Sequence, residues 1–235
     1  MKRWIKTFLN LFLKPNCPLC HRPAEVCFCC DCQTQLQDCQ FPAGLRWTND
    51  IPVFIWGRYD GALKQAITKL KYHNYPEIAQ PLGEQLAEAW LNTAESTLSQ
   101  LVVVPIPMFS AKQKKRGFNQ AELIAHSFCK ITGLPLKSQG LKRVRNTTAQ
   151  FGLSRKQRQN NLKSAFSLGL DFQHHRPRGA VILVDDIFTS GATMKAAIKT
   201  LKRAKIPVAG VVAIATTRQP LSLRKSPILP NKIKK

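Results

Sequence analysis

The sequence predicts an α/β protein: a doubly wound, mostly parallel sheet with a small Cys-rich module at its N-terminal side. Three observations predict it. Short apolar runs alternate with segments of helical period along most of the chain. One such run, VILVDD at residues 181–186, ends in two carboxylates and passes through the turn TSGAT into a helix. Seven of the eight cysteines fall between Cys17 and Cys39. Strands alternating with helices favour a parallel sheet covered on both faces, and 235 residues suffice for one sizeable core and one small appendage.

Trp4, Ile5, Phe8, Leu9, Phe12 and Leu13 recur at helical spacing, so residues 1–14 read as an amphipathic helix with Lys2, Arg3 and Lys6 on its polar side. It can pack onto the rest of the chain or lie on a membrane surface, and its shortness favours packing. Pro15 stops it. Residues 15–45 hold the cysteine module, and residues 50–218 the main domain. There IPVFIWG (51–57) reads as a strand, Leu63, Ile67 and Leu70 mark a helix, and a second helix covers 76–91. LVVVPIP (101–107) is another strand, with helices expected at 118–132 and 154–162. Strands at 180–184 and 208–216 then enclose a helix at 192–203. Cys129 sits in a helical pattern and is expected as a small buried apolar residue. Residues 219–235, rich in Pro and Lys, read as a tail disordered until bound.

Charge sets this chain apart. It has 36 Lys and Arg against 13 Asp and Glu, a formal +23, which points to polyanionic partners. The excess is concentrated: residues 112–163 carry 13 basic side chains and one acidic, Glu122, and residues 202–235 carry nine basic and none acidic. Phe118 and Phe151 lie in the first tract, where rings can stack on bases. The alternative is that both tracts are solvated faces. The N-terminus lacks a secretory signal pattern, and no apolar run is long enough to span a membrane. A cytoplasmic location is therefore expected, with the inner face of the membrane as the alternative site of action.

In a reducing compartment clustered thiols favour metal over disulfides. Cys17-Pro-Leu-Cys20 and Cys29-Cys-Asp-Cys32 are two C-x2-C knuckles, each able to fill two corners of a zinc tetrahedron. Four sulfurs close the site, so the zinc would be structural. The register is open: Cys27 and Cys30 make a third C-x2-C pair, and His21 and Cys39 are spare ligands.

The run from Val181 onward reads as a cradle for a phosphorylated sugar. A helix beginning at the carboxyl end of a parallel strand offers free N–H groups and a positive dipole end. Gly191 lets an anion approach the backbone, while Thr189, Ser190 and Thr193 add hydroxyl donors, with Ala192 between them. Asp185 and Asp186 can accept from sugar hydroxyls or hold a hard cation such as Mg²⁺. Bare carboxylates would repel a phosphate, so a ribose, a metal or both must lie between. The bland account is a capped helix with solvated acids.

ILVDDIFTSGAT closely resembles the phosphoribosyl pyrophosphate (PRPP) motif of type I phosphoribosyltransferases, which implies that Asp185 and Asp186 face the ribose hydroxyls and that residues 189–193 wrap the 5′-phosphate. The chain from about Cys17 to Thr217 resembles the ComF family of the competence ComFC type, phosphoribosyltransferase-like proteins with an N-terminal zinc finger. The resemblance rests on the paired knuckles; RYDGALK (58–64) with Leu70-Lys-Tyr72; VVVPIP followed by KRGFNQ (115–120); the VDDIFTSGAT loop; and more loosely Gln150, Arg158, Asn161, Ala165 and Phe166. It implies a type I phosphoribosyltransferase-like fold and a pyrophosphate loop at residues 104–107, including Pro105 and Ile106. Arg116, a planar fork beside Gly117, and Lys71, a point charge, are further phosphate candidates.

The resemblance also implies a role in natural competence, binding PRPP with Mg²⁺ and single-stranded DNA during DNA uptake. The enzymatic alternative transfers ribose 5-phosphate to a nucleobase or amine with release of pyrophosphate. The residues show no segment that would select an acceptor base, so turnover stays open. A third use of the zinc module, the N-terminal helix and the tail is docking on a partner such as a competence translocase.

Overall fold

The computed structural model describes residues 15–48, 51–93, 100–145 and 165–218. The helices expected at 1–14 and 154–162, the tail at 219–235, and Gln150, Phe151, Arg158 and Asn161 lie outside the described residues.

Five strands build the main sheet: β1 (Gln40–Thr48), β2 (Pro52–Arg58), β3 (Leu101–Pro105), β6 (Ala180–Phe188) and β7 (Val208–Thr216). Their order is β1-β2-β7-β6-β3, with β2, β7, β6 and β3 parallel and β1 antiparallel at the edge. A separate antiparallel ribbon pairs β4 (Leu141–Arg143) with β5 (Phe166–Leu168). The helices are α1 (Cys30–Gln37), α2 (Gly61–Tyr72), α3 (Ala79–Leu91), α4 (Ser110–Arg116), α5 (Gln120–Thr132), α6 (Leu170–Gln173) and α7 (Ala192–Arg203).

Strand alternation divides the apolar residues between two faces. Phe54, Trp56, Val103, Ile182, Val184, Val212 and Ile214 pack on one side with Leu63 and Ile67 of α2, Leu82 and Leu86 of α3, and Ile124 and Phe128 of α5. Cys17, Phe28, Cys32 and Leu36 join that same core, so the cysteine module is packed onto the sheet's covering helices. Val53, Ile55, Val102, Val181, Leu183 and Val211 face the other side, against Met194, Ala197 and Leu201 of α7 and Phe172 of α6. A parallel sheet covered on both faces keeps near-continuous apolar strands. The carboxyl ends of β2, β7, β6 and β3 consequently share one edge, where ligands sit in open α/β sheets.

The structure corrects several boundaries. β6 runs on to Phe188, beyond the 180–184 expected, because the ladder to β7 continues at Ile187–Ala215 and Phe188–Thr216 after the apolar run has stopped at Val184. Asp185 and Asp186 therefore belong to the strand. β1 has no clear strand pattern because QFPAGLRWT carries Pro42 and Gly44, and its register to β2 shifts between Gln40 and Leu45. β1 thus runs past the module boundary expected at residue 45 and pairs with the main sheet. α4, SAKQKKR, buries no residue and leaves no apolar stripe to read. It ends at Gly117, whose φ of +89° is the left-handed cap that favours glycine, and α5 starts at Gln120, two residues after Phe118.

α3 and α5 pack closely, with the Trp90 and Phe128 ring centroids 5.4 Å apart. Gly83 permits the approach: a Cβ there would lie 2.6 Å from the Ile124 carbonyl oxygen and 2.7 Å from Ser127 Cβ. Helix propensity favours alanine by about 1 kcal/mol, while overpacking costs about 1–3 kcal/mol. The obstructing carbonyl cannot swing aside, so packing wins. Gly83→Ala is expected to lower the midpoint of thermal unfolding, as read by circular dichroism.

Candidate functional site

Near the carboxyl end of β6 two acids stand next to each other, and one of them is paired with a cation. Lys71, near the end of α2, forms an ion pair with Asp186, the two side chains being 15% and 6% exposed. Burial pushes the Asp186 carboxyl up, but Lys71 overrides it and holds the group below the usual carboxylate range. Lys71 is raised in turn, since Asp186 more than offsets its own desolvation. Asp185 forms no such ion pair among the described residues. Burial and then the neighbouring Asp186 charge push its carboxyl well above the ordinary range, and its Oδ1 accepts the backbone N–H of Asp186 at 2.9 Å. At neutral pH the pair is thus one anion matched by Lys71 and one carboxyl that resists ionising.

Gln120, the first residue of α5, lies beside Asp186, and Arg116 donates to its Oε1. The Arg116 guanidinium also sits 5.5 Å from the ring centroid of Tyr72. Asn119 caps α5 by accepting the Ala121 N–H, and its amide donates to the Ile106 carbonyl at 3.1 Å. Ile106 N–H donates to Val184 O at 2.8 Å. Val104 and Pro105 lie in β3, and Ile106 and Pro107 just beyond it, so the expected pyrophosphate segment is tied by backbone to the strand that carries the acids. Gly117 sits in open space as a helix cap, which accounts for it without a ligand.

The turn after β6 places Thr189 and Ser190 exposed, Gly191 buried with φ +74°, and Ala192 and Thr193 half-buried at the start of α7. The Ala192 N–H donates to Ser190 Oγ at 3.3 Å. A Cβ on Gly191 would stand 2.9 Å from the Phe188 ring, so both backbone angle and space demand glycine. Helix N–H groups, hydroxyls and the dipole end here suit an anion.

Two cations near the site were not legible in the sequence. Arg218 donates to the Ser190 carbonyl at 2.8 Å and lies over the Phe188 ring at 5.3 Å, although its position reads only as the last residue before a basic tail. Arg143 of β4 lies over the Phe166 ring at 5.6 Å, within electrostatic reach of Asp185. Its only sequence signal is one Arg among many. Phe118 packs against the core, so it is not the free ring.

Geometry brings one set of four cysteines together. The Sγ atoms of Cys17, Cys20, Cys29 and Cys32 all lie within 4.8 Å of one another. A tetrahedron with metal–sulfur bonds of about 2.3 Å has edges near ~3.8 Å, so the four thiols fit a metal such as zinc. Arg22 donates to Cys20 Sγ at 3.4 Å and lowers that thiol to about 6, while also pairing with Asp31 at 2.7 Å. The alternates stand apart. Cys27 is packed against the core and pushed up to about 12 by burial, Cys30 is exposed, and Cys39 Sγ donates to the carbonyls of Gln35 and Asp60. His21 is exposed, and Cys129 is a half-buried thiol pushed up to about 12 by burial.

No family model matches the chain. It is 31% identical over 197 residues to the DNA utilization protein YhgH of Salmonella typhimurium, covering 80% of this chain and 84% of that protein. The chain belongs to the ComF family. It is 33% identical over 151 residues to competence protein F of Haemophilus influenzae, covering 63% of this ComF-family chain and 66% of the relative. To competence protein ComFC of Bacillus subtilis it is 27% identical over 190 residues, 79% of this chain and 70% of that one. Among solved structures it resembles the glutamine PRPP amidotransferase of B. subtilis at 19% identity and TM-score 0.39, over 63% of this chain and 30% of that one. A hypoxanthine phosphoribosyltransferase from Staphylococcus aureus gives 17% and 0.32, over 66% and 71%. Such scores are too low to bear on function. Among the described residues no helix is long and apolar enough to cross a membrane.

Because the Asp185 carboxyl is raised in the folded state, its ionised form opposes folding at neutral pH, and that cost fades as pH falls through the folded value. Asp185→Asn keeps the acceptor for the Asp186 N–H and removes the cost. At pH 7 its unfolding temperature is expected to exceed wild type by about 2–4 °C, the shift produced by roughly 1 kcal/mol in a domain of this size. The gain should shrink toward pH 4 in parallel melting curves.

Proposed function

We propose that the end of β6 binds PRPP with Mg²⁺ and that the protein serves natural competence, handling single-stranded DNA during uptake. The observation that carries the ligand reading is the pairing of two adjacent acids near the end of β6, Asp186 buried and matched by Lys71 and Asp185 half-buried beside it, with an anion-ready helix start at Ala192 on the same strand-to-helix turn. The N–H groups and hydroxyls of residues 189–193 would take the 5′-phosphate. Asp185 and Asp186 would take ribose hydroxyls or the divalent cation, and Arg116 and the segment around Pro105 and Ile106 the pyrophosphate. The acid pair suits a hard cation, since oxygen donors are what Mg²⁺ takes and Lys71 matches only one of the two carboxylates. That cation supplies charge neutralisation for a departing pyrophosphate.

The competence reading draws on the relatives' names, competence protein F, ComFC and DNA utilization protein, together with a formal charge of +23 that suits a phosphate backbone. Zinc is the proposed occupant of the four thiols. Its role is structural, because four protein sulfurs leave no open position.

Calorimetric titration with PRPP, with and without Mg²⁺, tests the ligand reading. Wild type is expected to bind in a Mg²⁺-dependent manner, and both Asp185→Asn and Asp186→Asn to lose binding; a wild-type protein silent to PRPP under either condition would refute it. Adding a panel of bases and measuring pyrophosphate release separates transfer from binding. For the thiol cluster, metal emission spectroscopy should find about one zinc per chain, falling to near zero in Cys20→Ser/Cys29→Ser, with a lower unfolding temperature because Cys17 and Cys32 share the main core.

A further inference from the structure

Two segments far apart in sequence meet beside the acid pair to form one surface. Residues 69–75, KLKYHNY, close α2, and residues 110–116, SAKQKKR, form α4. Neither contains an acid. α4 buries nothing, and Lys112, Lys114 and Lys115 are exposed. The segments touch where Arg116 lies over the Tyr72 ring, and a second cation-on-ring contact, Lys69 over Tyr75 at 5.5 Å, follows along the same segment. Tyr72 is 72% exposed. Among the described residues no other Phe, Trp or Tyr with a placed side chain is exposed.

A cation fixed over a ring stabilises it where it stands. Arg116 is itself anchored, by its bond to Gln120, so little side-chain freedom remains to be lost on binding. At 72% exposure Tyr72 keeps ring surface open to solvent with Arg116 beside it. Lysines interleaved with an open aromatic ring are the composition of a single-strand site, where bases stack on rings and the backbone follows the cations. A membrane surface would call for apolar neighbours, and Tyr72 is followed by His73 and Asn74. A duplex hides its base faces and cannot use the ring.

We propose that residues 69–75 and α4 bind single-stranded nucleic acid, with one base stacked on the open part of Tyr72, which Arg116 holds in place, and successive phosphates on Lys112, Lys114 and Lys115. This rests on the reading above that the chain handles single-stranded DNA, and it assigns the place. The strand then passes the mouth of the Asp185–Asp186 site, since Gln120 links Arg116 to Asp186 and Lys71 adjoins Tyr72. Nucleic acid and a phosphoribosyl ligand would occupy neighbouring ground.

Fluorescence anisotropy with a labelled 15-nucleotide oligo-dT strand and the full chain tests it. Tyr72→Ala is expected to weaken binding about 5- to 150-fold, the range for stacking of one base, while Tyr72→Phe stays near wild type. Both substitutions are on an exposed side chain, and circular dichroism checks the fold. An abasic strand of equal charge should bind more weakly and be indifferent to Tyr72→Ala. Lys112→Gln/Lys115→Gln should lower the slope of log affinity against log salt by about 0.7 for each phosphate no longer neutralised. Tyr72→Ala binding as tightly as wild type, or the abasic strand matching oligo-dT, overturns the assignment while leaving DNA binding in place. Wild type binding no strand at all removes the DNA reading itself, and the PRPP titration then stands independently.

Discussion

Two neighbouring carboxyls near the end of one strand, Asp186 buried and paired with Lys71 and Asp185 half-buried beside it, are the constraint around which this site is arranged. A buried ion pair is weak as a source of stability, because desolvating both charges offsets most of their attraction. A second carboxyl beside the first makes matters worse. Nothing about folding asks for this arrangement, and the apolar run Val181–Val184 would continue the strand at lower cost with more of the same. Perturbed acids held against a stability cost cluster at functional sites. Here Lys71 matches one carboxylate and the other carboxyl resists ionising, in a place already flanked by an anion-ready helix start.

The rest of the fold holds that place still. Four parallel strands bring their carboxyl ends to one edge, and the backbone bond from Ile106 to Val184 locks the β3 exit to the strand with the acids. Asn119 ties the same exit to α5, whose first residue, Gln120, reaches Asp186. On the other side Thr216 Oγ1 donates to Phe188 O at 2.7 Å and Arg218 to Ser190 O, so the end of β7 steadies the turn. The cysteine cluster lies away from this chemistry but within the core that carries α2, and hence Lys71. A metal there would act on the site only through the scaffold.

The chemistry-bearing features of the sequence were the most legible. Two C-x2-C pairs, a DD pair and a Thr-Ser-Gly-Ala-Thr turn each carry a local physical signature, and the structure brings the first set of thiols together and puts the acids next to the turn. What escaped reading depended on long-range contact. Tyr72 and Arg116 are 44 positions apart, and neither stretch of sequence says that they touch. Arg218 looks like one more charge at the edge of the main domain, yet it reaches back over 28 residues to Ser190. β1 hides its pattern behind Pro42 and Gly44, and α4 has no buried face to give it a period. The end of β6 was misplaced because apolar character stops where the hydrogen-bonded ladder does not.

Charge completes the account. A protein with 36 basic and 13 acidic residues that nevertheless sets two acids side by side, one of them buried, has concentrated its scarcer charge type at this strand end. The most direct test of that reading is a double-mutant cycle on Lys71→Met and Asp186→Asn, with stability measured by urea unfolding at pH 7. Lys71→Met alone should cost about 3–5 kcal/mol by leaving a buried charge uncompensated, and Asp186→Asn in the same background should recover much of it. If the two substitutions instead add within about 0.5 kcal/mol, the level expected of independent sites, the pair is not the constraint described and the account of the site fails.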